Sequence, residues 1–428
     1  MREFRGRNVS NNTNLYLITN DYPYGNGETS FIEPELPYLK EKFSVTIIST
    51  SLSKEQTEIV DQDINVVHYT REASIFRKII DSLCYFISKD AYCELVDIIR
   101  GEKKLILGRI VQSILFFEEA RRFKRFLKNN KVIDDNSKGI VYCYWYTFYC
   151  YTVTKLYGTQ HSNLNVITRT HRYDLYDDAN QYRRQPFKRQ MDSLLRAVVF
   201  IAEHGRRYYL ERYGFYPNEG KYVLYRLGVE GSSKYIEKAK EGSHFLVVSC
   251  AMLIPRKRVE LIIEGLSEIT EMNIEWIHFG DGPERIKLKT YADKMLGEKK
   301  NIKYSFRKGC SAAQIVNFYK ENYIDMFITT TKSEGCPVSV QEAMSCGIPI
   351  VGTRVAEIPY MIRENGVLLS EDPDAAEIAT AIRSVYYAAP ENIKRMRKTS
   401  YELWMKEFNM KQNATKFVNF LLKCEEDN

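Results

Sequence analysis

No stretch of the 428-residue chain reaches the ~18 apolar residues that a membrane-spanning helix requires. The opening MREFRGRNVSNNTNLYLITN holds basic side chains but no apolar run of ~7–15 residues before a small-residue cleavage site. A chain that is neither exported nor embedded in a bilayer is the expectation. The nine cysteines are odd in number, scattered, and form no C-x-x-C, which argues against both a disulfide framework and a zinc site and in favour of a reducing cytoplasm. Blocks of one charge are missing too. With 62 basic against 55 acidic residues, a net +7, nothing resembles a polyanion-binding tail, and nucleic acid is not an expected partner. Internal repeats and low-complexity tracts are likewise absent, and 44% apolar with 27% charged residues is the composition of an ordinary folded protein.

What is present is an alternation. A single core stops growing near ~250–300 residues, so this length predicts two domains. Short β-rich runs separated by longer helical patterns predict βαβ units and parallel sheets. In the first half they are 15–19, 44–50, 64–69, 140–146, 164–170 and 197–202; in the second, 245–251, 274–280, 302–306, 324–330, 348–353 and 366–369. The expected fold is α/β: two Rossmann-like, doubly wound domains facing a central cleft, where the carboxyl ends of such sheets bind ligands. The seam is expected in the Gly/Ser-rich 228–243, giving domains of 1–235 and 236–405.

Residues 70–135 interrupt this alternation. In 105–131, Leu107, Ile110, Ile114, Phe117, Phe123 and Phe126 fall near helical spacing, with six basic residues from 121 to 131. Two readings stay open: an interfacial helix in peripheral contact with the inner face of a membrane, or a helix packed on its own domain with a solvated basic face.

The chemistry concentrates in SEGCPVSVQEAMSCGIPI, residues 333–350. A strand precedes it, Pro337 suits a helix start, and the helix predicted over 338–346 opens at Val338. Its free N–H groups, near Gly335 and Cys336, make an anion site. Glu334 before the helix could accept hydrogen bonds from sugar hydroxyls, and Glu342 within it could hold both hydroxyls of a ribose. Taken alone, the pair could equally be an N-terminal acid and a surface glutamate.

With AMSCGIPIVGT, this E-x7-E resembles the retaining glycosyltransferases of family 4, which have the GT-B fold, and the resemblance extends along most of the chain. FLVVSCAMLIPRKRVELIIEGL (245–266) looks like that family's strand, loop and helix with a diphosphate-binding lysine, here Lys257. Members usually carry an arginine five or six positions earlier, where this chain has Ala251 and Met252; Arg256 is the candidate for the second charge. IHFGDGPERIKL (277–288) looks like the family's glycine turn, with Gly280, and DYPYGNGETSFIEPEL (21–36) like its N-terminal glycine loop, with Gly25, Gly27 and Glu28. RTHRYDLYDD (169–178) matches the R-x-H-x-x-D of capsule and exopolysaccharide members, of the colanic-acid and amylovoran type, through Arg169, His171 and Asp174. The resemblance also implies that the helix at about 406–428 returns to the first domain.

Each piece also has a plainer reading. The G-x-G and GDG stretches could be tight turns, RKR a solvated basic cluster, and a histidine at a strand end a structural one. As the resemblance has it, His171, Glu334 and Lys257 are catalytic. Gly25, Gly27, Arg256, Lys257, Gly280 and the stretch Glu334, Gly335, Cys336, Pro337, Val338 and Glu342 hold the donor, and Glu28, Arg169 and Asp174 lie on the acceptor side. The implied activity is retaining transfer from a nucleoside-diphosphate sugar to a glycan or lipid-linked acceptor, with no cofactor and no metal. Two alternatives are a non-hydrolysing nucleotide-sugar epimerase and a non-catalytic binding component of a polysaccharide assembly complex.

Overall fold

The computed structural model describes residues 13–426, apart from 26, 102, 103, 135, 159–161, 215–219, 241 and 243. The chain divides into two units: Met1–Tyr225 with Ala414–Asn428, and Arg226–Asn413.

The first unit is built on a parallel sheet of seven strands: β1 (Thr13–Thr19), β2 (Phe43–Ser49), β3 (Asn65–His68), β4 (Gly139–Cys143), β5 (Leu164–Thr170), β6 (Ala197–Phe200) and β7 (Tyr222–Leu224), in the order β3-β2-β1-β4-β5-β6-β7. Leu15 lies opposite Val45 on one side and Ile140 on the other. Helices cover both faces, so the strands are buried twice over and read as continuous apolar runs. Tyr16 and Ile18 enter one core layer, Leu15 and Leu17 the other. The last strand, β7, lies outside every run picked from the sequence.

Three helices fill the 70–135 interruption: α1 (Ile75–Leu83), α2 (Lys89–Arg100) and α3 (Ile106–Asn130). The apolar stripe read from the sequence turns out to be largely a core face. Phe117 and Phe123 are buried in the first unit's core, Ile114 and Phe126 pack at its edge, and only Leu107 is fully exposed. Three of the six cations are engaged: Arg121 and Arg125 with Asp81, and Arg122 with Glu118 and Glu119. The basic patch is therefore smaller than the sequence suggests.

The second unit has six parallel strands: β8 (Phe245–Cys250), β9 (Ile274–Phe279), β10 (Ile302–Arg307), β11 (Met326–Thr329), β12 (Ile350–Thr353) and β13 (Gly366–Leu369), in the order β10-β9-β8-β11-β12-β13. Helix α4 (Val259–Ser267) follows β8 and α5 (Val338–Ser345) follows β11. The final helix, α6 (Met410–Glu426), completes the first unit: Phe417, Val418 and Leu421 enter its core. Each such side chain contributes roughly 1.5–3 kcal/mol by leaving water.

Candidate active site

Both sheets reverse their strand order at an internal pair, β1 and β4 in the first unit, β8 and β11 in the second. Loops leaving the carboxyl ends of such a pair diverge, and the crevice between them is where open parallel sheets take ligands.

In the second unit, one turn of 3-10 helix, Pro255–Lys257, follows β8. It is clamped to the loop after β11: the Lys332 N–H donates to the Arg256 carbonyl at 2.8 Å, and Arg258 Nε donates to the Thr330 carbonyl at 2.8 Å. The clamp sets the Lys257 ammonium on Glu334 Oε1. Arg256 Nη1 donates to the Ser333 carbonyl and lies 3.7 Å from Glu334 Oε2. Two cations from one loop thus converge on a carboxylate of the other, 77 residues away in the chain.

Pro337 is the N-cap of α5, whose first N–H groups, from Val338 on, have no partner within the helix and follow directly on Gly335 and Cys336. Glu342, one turn in, is 7% exposed, and its carboxyl has no hydrogen-bond partner among the described residues. Burial raises its pKa from 4.5 to about 7. Glu342 also reaches the end of β8. The Cys250 thiol is pushed up to about 12, first by burial and then by the Glu342 charge, with Lys257 acting in the opposite sense.

The GDG turn supports this loop from beneath. Gly280 has φ +148°, and a Cβ there would lie 1.9 Å from the Ala251 carbonyl oxygen, so only glycine fits. Leu253 N–H donates to the Asp281 carbonyl at 2.9 Å, and the Asp281 side chain accepts from Gly282 N–H within its own turn. An Asp-x-Asp pair that follows β13, passed over in the sequence, is occupied locally: Asp372 holds Arg258 at 2.6 Å and Asp374 accepts the Glu377 N–H at 2.8 Å.

In the first unit, Glu28 is buried at the β1/β4 crevice and accepts the backbone N–H groups of Asn20, Asp21 and Tyr22 and the Trp145 indole N–H. Four donors fill its lone pairs, so it fixes the glycine loop against the loop after β4. Burial nevertheless holds its pKa above the ordinary value, the hydrogen bonds offsetting only part of the effect. Gly25 and Gly27 pack over Asp21, where a Cβ on Gly27 would meet Oδ2 at 3.1 Å. Gly25 lines a cavity of about 590 Å³ together with Arg71, Gln112, Phe116, Thr147 and Asp174.

Arg169 is fully buried, pairing with both oxygens of Glu35 at 2.9 and 2.7 Å among the rings of Tyr142, Tyr144 and Phe417. Asp174 accepts the N–H groups of Tyr146 at 2.6 Å and His171 at 2.7 Å. Burial raises the Asp174 carboxyl and lowers the nearby Lys188 ammonium, each charge partly offsetting the other's shift. His171 lies tilted against Trp145, with ring centroids 4.4 Å apart, and its Nε2 is buried without a partner. Burial, with help from Arg169, lowers its pKa to about 3, so the imidazole is neutral. Trp145, Gln112, Arg71 and Lys188 were not singled out in the sequence. For Trp145 the aromatic run YCYWY at the end of β4 was an available signal.

The described residues have the GT-B fold. It superposes on the lipopolysaccharide outer core galactosyltransferase WaaB with a TM-score of 0.67 at 13% identity, covering 96% of this chain and 99% of that one. It likewise matches Anabaena HepE in complex with UDP and glucose, with a TM-score of 0.61 at 12% identity over 96% of this chain and 99% of that one. A family model described as Glycosyl transferases group 1 matches residues 233–403, the span that carries Lys257, Glu334 and Glu342. One component of the human phosphatidylinositol N-acetylglucosaminyltransferase is 26% identical over 164 residues, 36% of this chain and 33% of that protein. The chain thus covers about a third of the length of this relative and of its Arabidopsis thaliana counterpart.

Proposed function

We propose that the chain is a retaining glycosyltransferase that moves a sugar from a nucleoside-diphosphate donor to a glycan or lipid-linked acceptor. The observation that carries this reading is Glu342. A mostly buried carboxyl without a partner among the described residues is costly, and its position on α5, within electrostatic reach of the same thiol as Lys257, suits a group that receives two ribose hydroxyls while the diphosphate meets Lys257 and the start of α5.

On this reading Glu334 occupies the two cations until the donor arrives. The diphosphate then takes Lys257 and Arg256, and the freed carboxylate accepts hydrogen bonds from the sugar hydroxyls. As the anomeric bond breaks, negative charge grows on the leaving phosphate oxygen, and Lys257 with the α5 N–H groups stabilises it without a metal. An acceptor hydroxyl attacks on the face the diphosphate leaves, giving its proton to a donor phosphate oxygen. The first unit is assigned to the acceptor through its cavity. His171, being neutral, serves as a hydrogen-bonding group rather than as a cation.

The test is calorimetric binding of sugar nucleotide and of bare nucleoside diphosphate to wild type and Glu334→Ala, after a thermal-shift panel of UDP-, GDP- and TDP-sugars selects the donor; a ligand at 100 Kd stabilises by ~2.7 kcal/mol. Glu334→Ala should weaken the sugar nucleotide yet spare or tighten the bare diphosphate, since both cations lose their internal partner. Equal weakening of both ligands refutes the assignment. Product analysis should then show free nucleoside diphosphate with a new glycosidic bond, and an isomerised donor instead would mark an epimerase.

A further inference from the structure

Helix α1 is mounted inside out. Its one buried residue is Asp81, 1% exposed, while Ile75, Phe76, Ile79 and Leu83 are 53–79% exposed. The cause is electrostatic. Asp81 accepts from Arg121 at 3.1 Å and from Arg125 at 2.6 Å, both on α3, so the ion pairs seat the polar side of α1 inward and turn its apolar side to solvent. Also exposed are Phe86 and Ile87 of the following 3-10 turn, Tyr92 on α2, and Leu107, Val111 and Leu115, a row at four-residue spacing on α3. Helices α1 and α2 and the 3-10 turn all pack on α3. Of the twenty large apolar side chains exposed among the described residues, thirteen lie between 75 and 115. Apolar residues exposed singly are ordinary, but a concentration of this kind marks a binding surface.

Charge identifies the occupant. Residues 71–131 hold fourteen basic and eight acidic side chains, a surplus of six out of the chain's seven. Arg77, Lys78, Lys89, Arg100 and Lys104 are exposed among the apolar residues. Of the acids, Asp81, Glu94 and Glu118 are buried, Asp90 and Glu119 pair with Lys155 and Arg122, and the exposed Glu72 pairs with Lys54. We propose that this face docks on an anionic lipid bilayer, with the apolar side chains entering the acyl boundary and the cations meeting the headgroups. A second copy of the chain would set like charge against like. The inference rests on the first unit's packing and is independent of the proposed chemistry.

The experiment is co-sedimentation with vesicles of phosphatidylcholine alone or in equimolar mixture with phosphatidylglycerol. Wild type should partition onto the mixed vesicles only, and less as salt rises. Phe76→Ser with Ile79→Ser should lower the partition by about tenfold or more, and Arg77→Gln with Lys78→Gln by about fivefold per charge removed. These side chains are exposed, so the melting profile should not change. Hydrogen exchange on wild type needs no substitution: amides of residues 75–87 should slow when the mixed vesicles are added. The proposal is overturned if wild type ignores the vesicles, if the apolar variant binds as well as wild type, or if sedimentation velocity shows a dimer that the apolar variant abolishes.

Discussion

Replacing Glu342 by glutamine keeps the shape of the side chain and removes its titration. In the folded protein the carboxyl titrates at about 7 instead of 4.5 because burial disfavours its charge. Below the lower value both states hold the proton, and wild type and variant should run in parallel. Between the two values the unfolded chain releases a proton that the folded chain keeps, so wild-type stability falls as pH rises and levels off above about 7. At about 1.4 kcal/mol per unit the loss approaches about 3 kcal/mol. For a unit of this size that is about 6–12 °C in Tm. Scanning calorimetry of both proteins from about pH 5 to about pH 8 should therefore show Glu342→Gln gaining on wild type with rising pH. Adding the nucleoside diphosphate gives an independent check: two ribose hydroxyls donating to the carboxylate favour its ionised form, so binding near neutral pH should release protons, read as a dependence of the calorimetric enthalpy on buffer. A Tm difference that stays flat with pH refutes the buried, unpartnered carboxyl, and a pH-dependent difference without proton release refutes the ribose contact alone.

The depressed His171 pKa has the opposite sign: wild type should lose stability as pH falls from 6.5 toward about 3, and His171→Gln should flatten that loss in acid unfolding. An imidazole seen by NMR to titrate near its ordinary value would contradict the burial. Arg169→Met strands Glu35 in the core and should cost about 3–5 kcal/mol, while a double variant with Glu35→Leu should recover most of it, as a double-mutant cycle in Tm would show. Lys257→Ala should lower kcat by about a hundredfold or more while activity survives a chelator, and Glu342→Ala should chiefly raise the donor KM; loss of activity in EDTA that magnesium restores would overturn the assignment of charge to Lys257.

Strands such as FLVVSCA were legible because burial on both faces leaves no polar alternation to confuse the reading, and helix α5 was legible from Pro337 and the apolar run before it. Strand β7 escaped because three residues at a sheet edge give no run to detect. The site was legible as residue types but not as partnerships. Lys257 and Glu334 meet only because β8 and β11 are neighbours, which strand order alone decides. In RTHRYDLYDD nothing in the letters separates Arg169, ion-paired with Glu35, from His171, which lies against Trp145 with a neutral ring. The apolar pattern of 75–83 shows a stripe but not which way it faces. That is settled by Asp81 and two arginines forty and more residues downstream.

The place of α6 sets an order of events during synthesis. The first unit is translated first, yet the core around Arg169 lacks Phe417, Val418 and Leu421 until the whole of Arg226–Asn413 has been made. At ~5–20 residues per second that wait lasts roughly ten to forty seconds. The second unit has every one of its strands in hand while the first still shows an open apolar face and a half-covered ion pair. The first unit's closing side chains thus follow the whole of the second unit in the chain, and until they are made its apolar face stays open to a chaperone.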